Sequence, residues 1–150
     1  MTVVDTTSAT QTDRVSFEFD LRHPPEKVWR AITDPVLLSE WLMPVVDQKL
    51  ALEKGADFVL KIPPAPGWEG LVNCRVLEID APRRFSYAWV VENVGLDTVV
   101  TFTLTPTESG TRMLLEHTGF KPHQKHNWGG ARYGYRMMGE RLVELLGRIS

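Results

Sequence analysis

Val15, Phe17, Phe19 and Leu21 alternate with Ser16, Glu18, Asp20 and Arg22, the two-residue period of a strand with one buried face. Pro24-Pro25 closes that strand. Val28, Trp29 and Ile32 then recur at helical spacing between Glu26 and Thr33, predicting a short helix. Asp34-Pro35 opens a second one, with Asp34 as N-cap and Pro35 at the first helical position, running through Trp41 until Pro44 stops it.

From Val45 to Thr118 the pattern is that of strands broken by turn residues: Gly55-Ala56-Asp57, Pro63 to Gly67, Asp80-Ala81-Pro82, Asn93-Val94-Gly95 and Glu108-Ser109-Gly110. Connections this short imply an antiparallel meander. Phe85, Tyr87 and Trp89 share a face, as do Val100, Phe102 and Leu104, and Met113, Leu115 and His117. One sheet face is therefore strongly apolar and aromatic.

Near the C-terminus, Trp128, Ala131, Tyr135, Met138, Leu142, Leu145 and Ile149 are spaced alternately by three and four residues, the signature of a long amphipathic helix. Its polar side carries Arg132, Arg136, Glu140 and Arg148, so its apolar stripe must lie on the sheet. The expected order is strand, two helices, six strands, helix, an α+β arrangement. A twisted sheet of about seven strands curls, and one helix across its concave side leaves part of that space unfilled. An apolar cavity between sheet and helix follows.

Composition narrows the class. The chain has 150 residues, 43% of them hydrophobic and 24% charged, enough for one real core without staples. A net charge of -2 gives no electrostatic footprint for nucleic acid. Asp, Lys, Arg or Pro interrupts every apolar run before the length of a membrane span. A single cysteine, Cys74, forms no internal disulfide and no zinc site built on cysteine pairs, which fits a reducing cytoplasm. Met1 to Asp13 is polar, without the regions of a signal peptide, and is expected as a disordered tail, with one domain over 14–150.

Specific words support this order: Pro25-Glu-Lys-Val-Trp-Arg-Ala-Ile-Thr-Asp-Pro35, Glu78-Ile-Asp-Ala-Pro-Arg-Arg-Phe-Ser-Tyr-Ala-Trp89, and His117-Thr-Gly-Phe120 with Asn127-Trp128-Gly129. Through them the chain, over Arg14 to Ile149, resembles the START-like (SRPBCC) superfamily, and within it the AHSA family, homologues of the heat-shock protein 90 ATPase activator. The resemblance implies a helix-grip fold with a ligand cavity between the sheet and the C-terminal helix; it implies fold more strongly than function. The eukaryotic co-chaperone of that family also carries a separate N-terminal domain that binds the chaperone, which this chain does not match. The family name also suggests a stress response.

The candidate cavity lining is Phe58, Tyr87, Trp89, Phe102, Leu115 and His117 from the sheet, facing Trp128, Tyr135 and Met138. Trp41, Met43 and Trp68 are candidate rim residues. Such a set suits a flat apolar ligand. His117, in phase with Met113 and Leu115, is the best inward polar contact, either a ligand hydrogen bond or a general base. Gly129-Gly-Ala-Arg-Tyr-Gly134 weakens the helix start and suggests a mobile gate. His117, His123, His126 and Glu116 are a poor metal set, because Glu116 faces away from His117 and Lys121 and Lys125 stand nearby. The arginines of the last helix, Arg132, Arg136, Arg141 and Arg148, are interleaved with Glu140 and Glu144 and read as a solvated face.

No nucleophile triad, phosphate loop, dinucleotide fingerprint or metalloprotease word occurs, and no cofactor is expected. The leading expectation is a non-catalytic protein that carries, sequesters or senses an aromatic or lipid-like molecule. The alternatives are a cyclase- or aromatase-like cavity enzyme using His117, Tyr87 and Tyr135, and a co-chaperone-like protein with a protein partner or a homodimer.

Overall fold

The computed structural model describes residues 1–64, 66 and 68–150. Ala65 and Gly67, inside the turn read at Pro63 to Gly67, lie outside the described residues. The chain forms β1 (Thr2–Asp5), β2 (Arg14–Leu21), α1 (Pro25–Thr33), α2 (Pro35–Trp41), β3 (Asp57–Lys61), β4 (Leu71–Asp80), β5 (Arg84–Val91), β6 (Leu96–Thr107), β7 (Gly110–Thr118) and α3 (Lys125–Arg148). The strands make one antiparallel sheet in the order β1-β2-β7-β6-β5-β4-β3. Together with α3 this is the helix-grip fold.

Local chemistry explains the boundaries. The α2 start is capped by the Asp34 carboxylate, which accepts hydrogen bonds from the Val36 and Leu37 amides at 2.9 and 3.4 Å, with Pro35 at the first turn. Between β5 and β6 the chain turns through Gly95 at φ 65°, a left-handed conformation that a residue without Cβ adopts at no steric cost. Inward positions alternate along β5, β6 and β7, burying Phe85, Tyr87 and Trp89, Val100, Phe102 and Leu104, and Met113, Leu115 and His117.

Two expectations are corrected. Five strands, not six, follow the short helices; Val45 contributes only an isolated bridge to Leu60, because Asp47 and Gln48 adopt positive φ and break the extended backbone. The seventh strand is β1, inside the segment read as a disordered tail. It pairs with β2 from Thr2↔Asp20 to Asp5↔Phe17.

What holds β1 is α3. A Cβ on Gly139 would approach Val3 Cγ1 to 3.0 Å and Phe19 Cε2 to 3.1 Å, so glycine there lets β1 and β2 lie close against the helix. The Asp5 carboxylate accepts from Arg132 Nε at 2.6 Å and Arg136 Nη2 at 2.9 Å, and from the Thr7 amide at 2.9 Å. Burial tends to raise the Asp5 pKa, but the hydrogen bonds from Thr7 and the two arginines outweigh it and lower it to about 2. Arg132 and Arg136, read as a solvated face, thus anchor the first strand.

Candidate functional site

The candidate site lies where α3 crosses the sheet. His117 sits on β7, opposite Val15 of β2 and Val100 of β6, and is 1% exposed. Its ring is walled by Trp89, Phe120 and Tyr135, with centroids 5.2, 4.7 and 5.7 Å away. Gly119, at φ 101°, reverses the chain after β7 so that Phe120 folds back over the imidazole.

Both imidazole nitrogens are engaged. Nε2 lies 2.6 Å from Thr98 Oγ1, and Nδ1 lies 2.9 Å from the Tyr135 hydroxyl. The Thr98 hydroxyl donates to the Trp89 carbonyl oxygen at 2.9 Å; its one hydrogen is then used, so Nε2–H must donate to Thr98. Burial lowers the His117 pKa to about 3, so the ring is neutral at pH 7. Nδ1 is therefore an acceptor, and Tyr135 donates to it. The chain of donors runs one way, from Tyr135 to His117 to Thr98 to the backbone of β5.

Beside this chain is a cavity of about 290 Å³. The sheet side supplies Trp89, Leu96, His117 and Phe120; the helix side supplies Asn127, Gly130, Ala131, Gly134, Tyr135 and Met138; Met43 and Ile62 close one end. Gly130, Ala131 and Gly134 occupy one face of α3. Having almost no side chain there, the helix leaves the space empty. Asn127, half-buried at the start of α3, makes no side-chain hydrogen bond among the described residues.

Along α3 runs an open groove of about 720 Å³, lined in part by Pro44, Lys61, Tyr133, Met137 and Glu144. Met43, Ile62, Gly134 and Met138 belong to the walls of both spaces. Flexible thioethers and a glycine make a soft partition, and the groove is the natural path of entry.

Of the residues read as lining or rim, Met43, Trp89, His117, Tyr135 and Met138 surround this cavity. Trp41, Phe58, Tyr87, Phe102 and Leu115 do not; they are solid core. The centroid of Phe58 lies 5.2 Å from that of Tyr87, Phe85 stacks on Phe102 at 6.5 Å, and Trp41 meets Phe102 edge-on at 6.1 Å. These rings fill the far end of the sheet by packing on one another and on α1 and α2, which the two short helices make possible. Trp68 lies instead over β4, its Nε1–H donating to the Leu71 carbonyl oxygen at 3.1 Å. Trp128 is half-buried, with Nε1–H donating to the Arg14 carbonyl oxygen at 2.7 Å and Arg132 over its ring at 5.6 Å.

Sequence reasoning missed Leu96, Phe120 and Asn127, and took Gly130 and Gly134 only as weak points of a helix. The available signal was the spacing of Gly130, Ala131 and Gly134 on one helix face. Among the described residues no group of three or more His, Cys, Asp and Glu side chains is placed to share a metal ion; Glu116 pairs with Arg14 at 3.6 Å.

The Tyr87 hydroxyl is fully buried with no hydrogen-bond partner among the described residues, and burial holds its pKa well above the usual phenol value. An unpaired buried hydroxyl costs more than its absence. Tyr87→Phe is therefore expected to stabilise the protein, by on the order of 1 kcal/mol in urea unfolding; a destabilisation of that size would mean the hydroxyl has a partner.

Comparison with known proteins agrees with this architecture. The family described as "Activator of Hsp90 ATPase homolog 1-like protein" matches residues 22–147. Protein MLL2253 from Mesorhizobium loti is 38% identical, with a TM-score of 0.82 over 91% of this chain and 98% of that one. CalU16 from Micromonospora echinospora is 24% identical, with a TM-score of 0.72 over 90% of this chain and 76% of that one. DynU16, described as a putative protein in the dynemicin biosynthetic locus, is 19% identical, with a TM-score of 0.74 over 91% of this chain and 48% of that one. The last two likenesses speak to fold alone. No curated protein matches the sequence. No helix among the described residues is long and apolar enough to cross a membrane. Since the family match spans most of the chain and the fold agrees with it, the chain belongs to the Activator of Hsp90 ATPase homolog 1-like family of the START-like superfamily.

Proposed function

We propose that this chain binds one small hydrophobic molecule, aromatic in character, in the cavity between the sheet and α3, and acts as a cytoplasmic carrier or sequestering protein. The observation that carries this reading is the cavity itself: about 290 Å³, roughly twice the 150 Å³ at which an apolar protein cavity already takes up benzene. Its walls are mostly apolar and aromatic, with a small number of polar groups, the usual composition of a small-molecule site. The family fold is commonly a ligand-binding scaffold, and the groove beside Met43 and Met138 supplies access.

Catalysis by His117 gains no support from this geometry. A general base needs a nitrogen free to take a substrate proton, and here Nδ1 already accepts from Tyr135 while Nε2 donates to Thr98.

The test is amide shift mapping with naphthalene as probe. Saturable shifts are expected at Leu96, Phe120, Ala131 and Gly134, which border the cavity on both sides. Shifts confined to the groove at Lys61, Glu140 and Glu144, or no saturable shift, would remove the reading.

A further inference from the structure

The cavity carries a polarity that its apolar walls conceal. Tyr135 and His117 both line it, and Tyr135 is 1% exposed. Its only hydrogen points at His117 Nδ1, in a direction set by Thr98 and the Trp89 carbonyl further along the chain. A phenolic oxygen has acceptor capacity left after donating, and no other hydrogen-bonding group is on it among the described residues. The buried polar feature of the cavity is therefore an acceptor without a donor.

We infer that the molecule this cavity selects is an aromatic alcohol or phenol about two rings in size, whose hydroxyl donates a hydrogen bond to the Tyr135 oxygen. The inference rests on the cavity reading above and adds the polarity of the ligand. Size follows from a volume about twice that of a benzene-binding cavity. The flat shape follows from the rings of Trp89 and Phe120 in the wall. Thr98 is a positioning residue: by taking Nε2–H it fixes which imidazole nitrogen accepts, and so leaves the oxygen of Tyr135, a cavity-lining residue, with acceptor capacity and no proton to give. Asn127 stands at the half-buried end, where a second polar substituent would meet it.

The sign of the expected preference separates this from a merely apolar site. In a cavity lacking an acceptor, burying an unpaired hydroxyl is a penalty, and 2-methoxynaphthalene would bind at least as well as 2-naphthol. With the Tyr135 acceptor, 2-naphthol gains a hydrogen bond, whereas the methoxy oxygen is set against another acceptor.

Calorimetric titration of the full chain at neutral pH with naphthalene, 2-methoxynaphthalene and 2-naphthol makes the comparison. 2-Naphthol is expected to bind roughly 5- to 10-fold more tightly than 2-methoxynaphthalene. In Tyr135→Phe the nearest acceptor retreats to His117 Nδ1, 2.9 Å behind the lost oxygen, and the preference should fall below about twofold with naphthalene binding retained. Should Tyr135→Phe fail to fold, Thr98→Val provides the same readout: it frees the tautomer, and the preference should shrink while naphthalene affinity holds. Equal binding of 2-naphthol and 2-methoxynaphthalene, or a preference unchanged in the variant that folds, overturns the inference. If naphthalene and both derivatives all fail to bind, the cavity reading itself falls, and this inference with it.

Discussion

Replacing Trp41 by alanine is expected to lower the unfolding free energy by about 3–5 kcal/mol. The side chain is 1% exposed, packs edge-on against Phe102 at 6.1 Å, and donates its Nε1–H to the Ala31 carbonyl oxygen at 2.8 Å. Truncation loses the buried ring, leaves a cavity that helices α1 and α2 and the sheet cannot close, and strips the Ala31 oxygen of that donor. Trp128→Ala, by contrast, removes a half-buried ring and one hydrogen bond at the edge of the fold, and should cost clearly less. Urea unfolding of both variants checks this ordering. A loss below about 0.5 kcal/mol for Trp41→Ala, the usual size of a surface change, would put Trp41 back at a rim, where its position next to Met43 in the sequence suggests it belongs.

Acid should destabilise the protein earlier than its carboxylates alone would cause. Burial holds the His117 pKa at about 3, against an ordinary 6.5. Below pH 6.5 the unfolded chain takes up a proton at this position that the folded chain refuses. Stability is therefore present in full above pH 6.5 and is lost as the pH falls toward 3, by up to about 1.4 kcal/mol per pH unit from this one group. His117→Gln separates the effect, because an amide can donate to Thr98 and accept from Tyr135 without titrating. Native and variant proteins should have similar unfolding free energies at pH 8, and the native protein should fall behind by several kcal/mol by pH 4. Parallel curves for the two proteins would show that the imidazole is not held neutral by the fold.

Much of the fold was legible because its signals are local and repeated. The Val15-to-Leu21 alternation gives β2, the Asp34-Pro35 pair gives the start of α2, and the three-and-four spacing from Trp128 to Leu145 gives α3. β1 was illegible for a physical reason. Its four residues bury little: Val3 is half-buried and Val4 is exposed, and its anchorage comes from Arg132, Arg136 and Gly139, more than 120 positions away. Long-range partners of that kind leave no periodic trace in the strand itself.

The site was only partly legible. Alternation placed His117, Trp89 and Phe102 on one face, and all three are buried there, but a face does not say which residues meet space and which meet one another. The two short helices decide it, by packing Trp29 and Trp41 over the Phe85 and Phe102 end of the sheet. At the other end the decision rests with Gly130, Ala131 and Gly134. Glycine within a helix costs about 0.8–1 kcal/mol relative to alanine; taken only as weakness, it points to a gate, whereas in the folded chain α3 is continuous through these positions and their missing side chains make the cavity. The direction of the Tyr135–His117–Thr98 chain was out of reach of sequence, since it depends on a carbonyl two strands from His117.

The most direct measurement of the central claim is a crystal structure of the chain soaked with 2-bromonaphthalene, with the bromine located by its anomalous scattering. A single strong peak is expected in the space enclosed by Trp89, His117, Ala131 and Met138, with Tyr135 still bonded to His117. A peak only in the outer groove near Tyr133 and Glu144, or a cavity closed by side chains with no bromine inside, would contradict it.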